Sequence, residues 1–333
     1  MADWWIFRGE GAPHNAISAL PAPMRSRTFD GGPLISAQSD QDRAASGHLG
    51  DIDAHEPLLL EDADLDLINA AIYWRRPLLV TGKPGSGKSS LAYAIARELS
   101  LGAVLHWPIT SRSTLREGLY SYDALARLEE ANLRQVQDSP TTPTIGDFIR
   151  LGPLGTALLP HGRPRVLLID EIDKSDIDLP NDLLHAFEEG EFEIEELVRQ
   201  RDAGHEVPVA VTGGREPVTV IEGRIRCNAF PIIVLTSNGE RDFPPAFLRR
   251  CVRLQLAEPG PGRLARIVAA HLGADVARQS EDLIETFLEK RRAGTVATDQ
   301  LLGAIYLSDA ARLGAGAREE LAALILAPLD AAR

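Results

Sequence analysis

Cysteine is nearly missing from this chain. In 333 residues there are two, Cys227 and Cys251, too few for a disulfide framework and compatible with a reducing compartment. Both stand in strand-like apolar surroundings, so buried free thiols are expected. No apolar run is long enough to span a bilayer. The start, Met1-Ala2-Asp3-Trp4-Trp5, has neither the basic region nor the apolar stretch of a signal peptide. A cytoplasmic protein without a membrane partner is therefore expected. Positive charge is in deficit, with Lys+Arg 35 against Asp+Glu 48 and a net charge of -13. That balance disfavours a nucleic acid grip spread over the surface, and no basic or aromatic stacking stripe accompanies it. His106, His161, His185 and His205 have no metal-ligand spacing with the cysteines, so no zinc site is expected. No serine or cysteine has a triad context. The hydrophobic share of 44% is enough for a real core.

Against these absences stands one complete motif. Thr81-Gly82-Lys83-Pro84-Gly85-Ser86-Gly87-Lys88-Ser89 fits G-x-x-x-x-G-K-[ST] without a mismatch. An apolar strand precedes it at residues 77–80. A helix follows over 90–99, with Leu91, Ile95 and Leu99 on one face. Glycines let backbone N–H groups turn inward on a polyphosphate, and the helix N-terminus adds positive potential. Gly82, Lys83, Pro84, Gly85, Ser86, Gly87, Lys88, Ser89 and Ser90 are the candidate cradle. Lys88 would reach the β- and γ-phosphates, and Ser89 would ligate Mg²⁺.

Three further segments complete a reaction centre. Val166-Leu167-Leu168-Ile169-Asp170-Glu171 is an apolar strand ending in two acids. Asp170 suits the metal shell, and Glu171, pointing elsewhere, suits the polarisation of the attacking water. A second buried strand ends in Thr236-Ser237-Asn238, which puts Asn238 near the γ-phosphate if the strands are parallel. A turn-forming role before Gly239 is equally good local chemistry for it. Leu248-Arg249-Arg250-Cys251 offers a cation that could complete a neighbouring subunit's site, with Arg250 favoured and Arg249 as the alternate.

Residues 1–57 read as an irregular arm, rich in Pro, Gly, Ser and Asp. Its apolar tip, Trp4, Trp5, Ile6 and Phe7, suggests a disordered leader or an arm docked on a neighbour. A helix is expected over 61–76 and strands over 103–107, 165–169, 231–235 and 252–256. Residues 112–149 read as a polar helical insert with a turn at Asp138-Ser139-Pro140. A helix follows over 181–189 and a hairpin over 217–226. The acidic run 188–196 reads as a solvated face. Four helices are expected over 263–272, 281–292, 299–313 and 318–326. The implied fold class is α/β, a parallel-sheet core with a small C-terminal all-helical domain. The boundaries fall at 1–57, 58–257 and 258–333.

With these elements in this order the chain resembles the AAA+ ATPases of the P-loop NTPase fold, and it is similar to their MoxR branch. Asp170-Glu171-Ile172-Asp173-Lys174-Ser175, the run Leu183 to Phe192 and the run Leu151 to Leu159 carry the MoxR likeness. Thr236-Ser237-Asn238 resembles sensor 1, and Arg250 matches the arginine finger position. The resemblance covers about residues 60–327. It implies hydrolysis of ATP with Mg²⁺, a homo-oligomeric hexameric ring with ATP at each subunit boundary, and a helical lid. It also implies a partner with a von Willebrand A domain and chaperone-like remodelling of protein clients. The arm and Gly118-Leu119-Tyr120-Ser121-Tyr122-Asp123 look like a subset encoded in bacterial conflict loci. One departure concerns sensor 2, usually an arginine at the start of a lid helix. Here Gln300 stands in its place, able to hydrogen-bond a phosphate but without charge. Such a site could act as a slow switch. Thr110 is a candidate for holding Glu171 away from the water, with plain strand-end solvation as the simpler reading.

Overall fold

The computed structural model describes residues 2–35, 60–137, 144–200, 205–293, 296–311 and 314–327. The turn expected at Asp138-Ser139-Pro140, the arm from 36 to 57, Leu313 and the residues from 328 onward lie outside them. Helix α1 (Asp62–Trp74) carries Asp62 and Asp64 in its first turn, and Asp64 accepts the Glu61 N–H at 3.1 Å. It ends at Arg75 in the left-handed region. Strand β1 (Leu78–Thr81) leads through the glycine loop to α2 (Lys88–Glu98) and then β2 (Leu105–Pro108).

The segment 112–149 is not simply helical. Helix α3 (Ala124–Gln137) is flanked by β3 (Tyr120–Tyr122) and β4 (Ile149–Leu151), which pair antiparallel. Strand β5 (Val166–Asp170) precedes α4 (Leu179–Glu189). Next come β6 (Glu191–Glu193), β7 (Glu206–Val209), β8 (Val218–Ile221) and β9 (Arg224–Arg226), in an antiparallel sheet of order β6-β9-β8-β7. The expected hairpin is β8–β9, turning through Glu222 and Gly223, both at positive φ. The acidic run is half-exposed, as expected of a solvated face, and β6 lies within it. Its charges pair across strands, Glu193 with Arg224 at 2.7 Å and Glu191 with Arg226 at 3.6 Å.

Strands β10 (Ile232–Ser237) and β11 (Val252–Gln255) complete a five-stranded sheet of order β11-β1-β10-β5-β2. Every neighbouring pair in it is parallel. Both faces are covered, so its strands read as continuous apolar runs. Leu78, Val80, Val166, Leu168, Ile232 and Val234 enter the core beneath α1 and α2. Leu79, Leu167, Ile169, Ile233 and Leu235 enter the opposite core, with Leu183 and Phe187 of α4. The expected tail helices are present as α5 (Pro261–Leu272), α6 (Glu281–Ala293), α7 (Thr298–Ala310) and α8 (Ala315–Ile325). They close on a core of their own around Leu264, Phe287 and Leu301. Among the described residues no helix is long and apolar enough to cross a membrane.

Over residues 2–35 the arm is irregular, as expected, but it is neither a disordered leader nor a hook for a neighbour. Its tip folds onto its own chain, with Trp5, Ile6 and Phe7 buried in the α1–α2 core. Irregular backbone can be buried only if its polar groups find partners. Two buried side chains supply them. Asn69 of α1 accepts the N–H groups of Ile6 and Phe7 at 2.7 and 2.9 Å and donates to the Phe7 carbonyl at 2.7 Å. Glu98 of α2, 1% exposed, accepts the N–H groups of Arg8, Gly9 and Gly11. Replacing Asn69 with Ala strands these groups. We expect a loss of about 3 kcal/mol in denaturant-induced unfolding, with faster proteolysis inside residues 2–14. An unchanged midpoint with unchanged protection would remove Asn69 from this role.

Candidate functional site

The loop between β1 and α2 keeps its glycines for different reasons. Gly85 and Gly87 adopt φ of +75 and +86, which side chains rarely tolerate. A Cβ on Gly82 would lie 2.8 Å from Ser86 Oγ and 2.9 Å from the Leu256 carbonyl. Gly87 is the N-cap of α2, so the helix axis starts at the loop. Lys88 is 7% exposed, and its Nζ donates to the carbonyls of Gly82 at 2.8 Å and Lys83 at 3.0 Å. Burial lowers its pKa, while Asp173, Asp170 and Glu171 oppose that shift. Ser86 Oγ is buried and bonds no protein group among the described residues. Ser90 lies half-buried in the first turn of α2, and Pro84 is exposed at the tip of the loop.

Parallel pairing brings three strand ends to this loop. Ser89 Oγ donates to Asp170 Oδ1 at 2.8 Å, and Thr236 Oγ1 donates to the same oxygen at 2.6 Å. His106 Nε2 lies 3.5 Å from Asp170 Oδ2. Burial alone would raise the Asp170 pKa. The close approach of His106 and hydrogen bonds from Thr236 and Ser89 outweigh it and hold the group down at about 2. A carboxylate and a hydroxyl side by side form an all-oxygen donor pair. That pair suits Mg²⁺, which keeps waters and takes further ligands from phosphate.

Glu171 sits in the left-handed region at φ 60, and its N–H is held by Thr236 Oγ1 at 2.8 Å. The turn swings its side chain away from Asp170, and the carboxylate pairs with Lys174 at 2.6 Å. Thr110 bonds Ser113 and the Arg112 N–H within its own turn. Asn238 is held through its backbone, its N–H donating to Asp173 Oδ2 at 2.9 Å, and Glu240 N–H joins the same oxygen at 3.1 Å. Thr236 and Asp173 are thus the residues that sequence reasoning missed as parts of the site. Thr236 stands one residue beyond the register pair Leu235↔Ile169, and strand order is what brings it to Asp170. Asp173 carried a signal, as an acid within the run that opens at Asp170.

Two candidates are not gathered here. Gln300 was expected at the phosphates, but its Oε1 accepts the Ala297 N–H at 2.8 Å and its Nε2 donates to the Ile325 carbonyl at 2.8 Å. The amide caps its own helix and ties α7 to the end of α8, so this expectation is corrected. Thr298 meets the loop instead, its hydroxyl donating to the Gly85 carbonyl at 2.9 Å. Arg263 of α5 donates to the Ser86 carbonyl at 3.2 Å, and Lys83 pairs with Glu258 at 2.5 Å. Arg250 is bonded to Glu188 at 2.6 Å and to the Ala246 carbonyl at 3.1 Å, and neither partner belongs to the cradle of its own chain. Arg249 is exposed on the same turn, bonded to the Pro245 carbonyl.

The arrangement presents a glycine loop at a helix N-terminus, one buried ammonium, one carboxylate beside two hydroxyls and one separately aimed carboxylate. That is the equipment for binding a polyphosphate and directing water at it. A family model described as an AAA domain of the dynein-related subfamily matches residues 77–251. No curated protein matches the chain. Thr236→Val keeps shape but removes both hydrogen bonds of its hydroxyl. Titration with a fluorescent nucleotide is expected to show about tenfold weaker binding in Mg²⁺ and little change in chelator. Equal affinity in Mg²⁺ would remove Thr236 from any part in metal-dependent binding.

Proposed function

The chain belongs to the AAA family, in its dynein-related subfamily, and from that membership we propose that this ATPase is of MoxR type. It hydrolyses ATP at boundaries between like subunits and uses turnover to remodel or activate protein partners, one of them carrying a von Willebrand A domain. The observation that carries the reading is the meeting of Ser89, Thr236 and Asp170 on one oxygen beside the glycine loop.

Each group then has one task. The N–H groups of the loop and Lys88 bind the β- and γ-phosphates. Ser89 and Asp170 would hold Mg²⁺, which when bound screens the charge of the phosphates. Glu171, turned away from that pair, accepts a proton from the water, and Asn238 orients it. Arg250 of the neighbouring subunit meets the charge that develops in the transition state. The α5–α8 bundle rests on the loop through Thr298 and Arg263, with Lys83 paired to Glu258 just before α5, so a change in the loop is passed to it without Gln300.

A second reading, a slow nucleotide-dependent switch in a bacterial conflict system, is favoured by one observation. The amide of Gln300 is committed inside the helical bundle, so that position brings no charge to the nucleotide. A nucleic acid motor is disfavoured by the net charge of -13. For the first reading, Lys88→Ala should abolish saturable nucleotide binding. Glu171→Gln should bind normally and turn over about a hundredfold more slowly. Full turnover in Glu171→Gln sinks the assignment. Ring assembly that follows nucleotide occupancy, with a very low steady-state rate, selects the switch.

A further inference from the structure

We infer that Arg27, in the N-terminal arm, and Glu188, at the end of α4, position Arg250 for use by a neighbouring subunit. This rests on the reading that Arg250 acts in trans.

Arg27 lies in the arm, outside the matched residues 77–251. It is 8% exposed, an unusual place for a guanidinium. Burying a charge is unfavourable unless it is paired and hydrogen-bonded. Here the cation lies over the rings of Phe29 and Phe230, at 5.3 and 4.7 Å from their centroids. Its Nη1 donates to the carbonyls of Phe187 at 2.7 Å and Glu188 at 3.1 Å, and its Nη2 to the Arg75 carbonyl. One side chain of the arm thus joins the end of α1 to the end of α4. Helix termination does not need it, because Gly190 at φ +65 already caps α4 with its N–H on the Ala186 carbonyl.

What the junction does fix is Glu188. Its backbone carbonyl is held by Arg27, and its Oε2 lies 3.9 Å from Arg27 Nη1. The other carboxylate oxygen accepts Nε of Arg250 at 2.6 Å. Arg250 Nη1 goes to the Ala246 carbonyl, and among the described residues Nη2 has no partner. The preceding carbonyl, that of Arg249, is pinned by Arg76 at 3.1 Å. The inner edge of the Arg250 guanidinium is therefore bonded from behind, leaving Nη2 for an anion from outside the chain. A lone pair of this kind, with side chains 38% and 41% exposed, would be an ordinary surface contact. Its attachment to a buried arginine that lies over two stacked aromatic rings is what sets it apart. Glu188 and Arg27 act through Arg250 and are positioning residues.

The test uses the full chain and steady-state ATP hydrolysis. Glu188→Ala, at a half-exposed site, should lower kcat about tenfold with unchanged affinity for labelled ADP. Arg27→Lys, which keeps the charge but not the fork, should lower kcat in the same way. Mixing either variant with Lys88→Ala subunits should restore turnover. The Lys88→Ala chain cannot use its own cradle but offers an intact Arg250 to the variant's. Arg250→Ala mixed with Lys88→Ala is the reference. If that reference pair recovers but Glu188→Ala turns over at the wild-type rate, or faster, or is slow without recovery on mixing, the inference is overturned. If the reference pair does not recover, the trans reading of Arg250 falls and the inference falls with it.

Discussion

One carboxylate oxygen, Asp170 Oδ1, receives hydroxyl bonds from Ser89 of α2 and Thr236 of β10. The rest of the site is arranged around this triple meeting. It requires β5 between β10 and β2, and β1 on the far side of β10, which is the strand order of the sheet. Parallel neighbours end at one edge, so the polar residues beyond their apolar runs arrive together. The hydroxyl of Thr236 also takes the Glu171 N–H, which fixes the turn separating the two adjacent acids. Neighbouring carboxylates thereby acquire different surroundings. Asp170 is held anionic by hydroxyl donors and His106, and Glu171 stays near the surface beside Lys174.

Two outer segments are joined to this centre by specific polar contacts. The helical bundle touches the glycine loop at Gly85 and Ser86 through Thr298 and Arg263, and Glu258, just before the bundle, takes Lys83. The arm runs along the opposite end of the sheet, past the amino ends of β1 and β10, and is held by the buried groups Asn69, Glu98 and Arg27. A loop-rich segment this well anchored behaves as part of the core, because its backbone donors are satisfied where water cannot reach.

Local chemistry was legible wherever it depended on neighbours in the chain. The glycine loop, the apolar strand ending in Asp170-Glu171, the two-sided burial of the sheet strands and the four tail helices all have short-range signatures. Two readings failed for the same reason. Gln300 was assigned by its place in a resemblance, but a glutamine at the third residue of a helix can reach back to cap it, and α8 lies close enough to take the other end of the amide. The arm read as a disordered leader or a hook for a neighbour because its partners, Asn69 and Glu98, lie more than sixty residues further along. Strands β3, β4, β6 and β7 are three or four residues long and lie outside the apolar runs that marked the central sheet.

The amino-acid sequence by itself determined which backbone could cradle a phosphate and which strand ends in acids. Such properties reside in glycine spacing and in continuous apolar runs, which are short-range. Only the tertiary structure decided that Thr236 rather than a nearer residue shares the Asp170 oxygen, that Thr298 stands where Gln300 was expected, and that Arg27 lies behind Glu188. Those pairings join residues more than sixty positions apart, and they depend on strand order and on which faces pack together. No local pattern encodes that geometry.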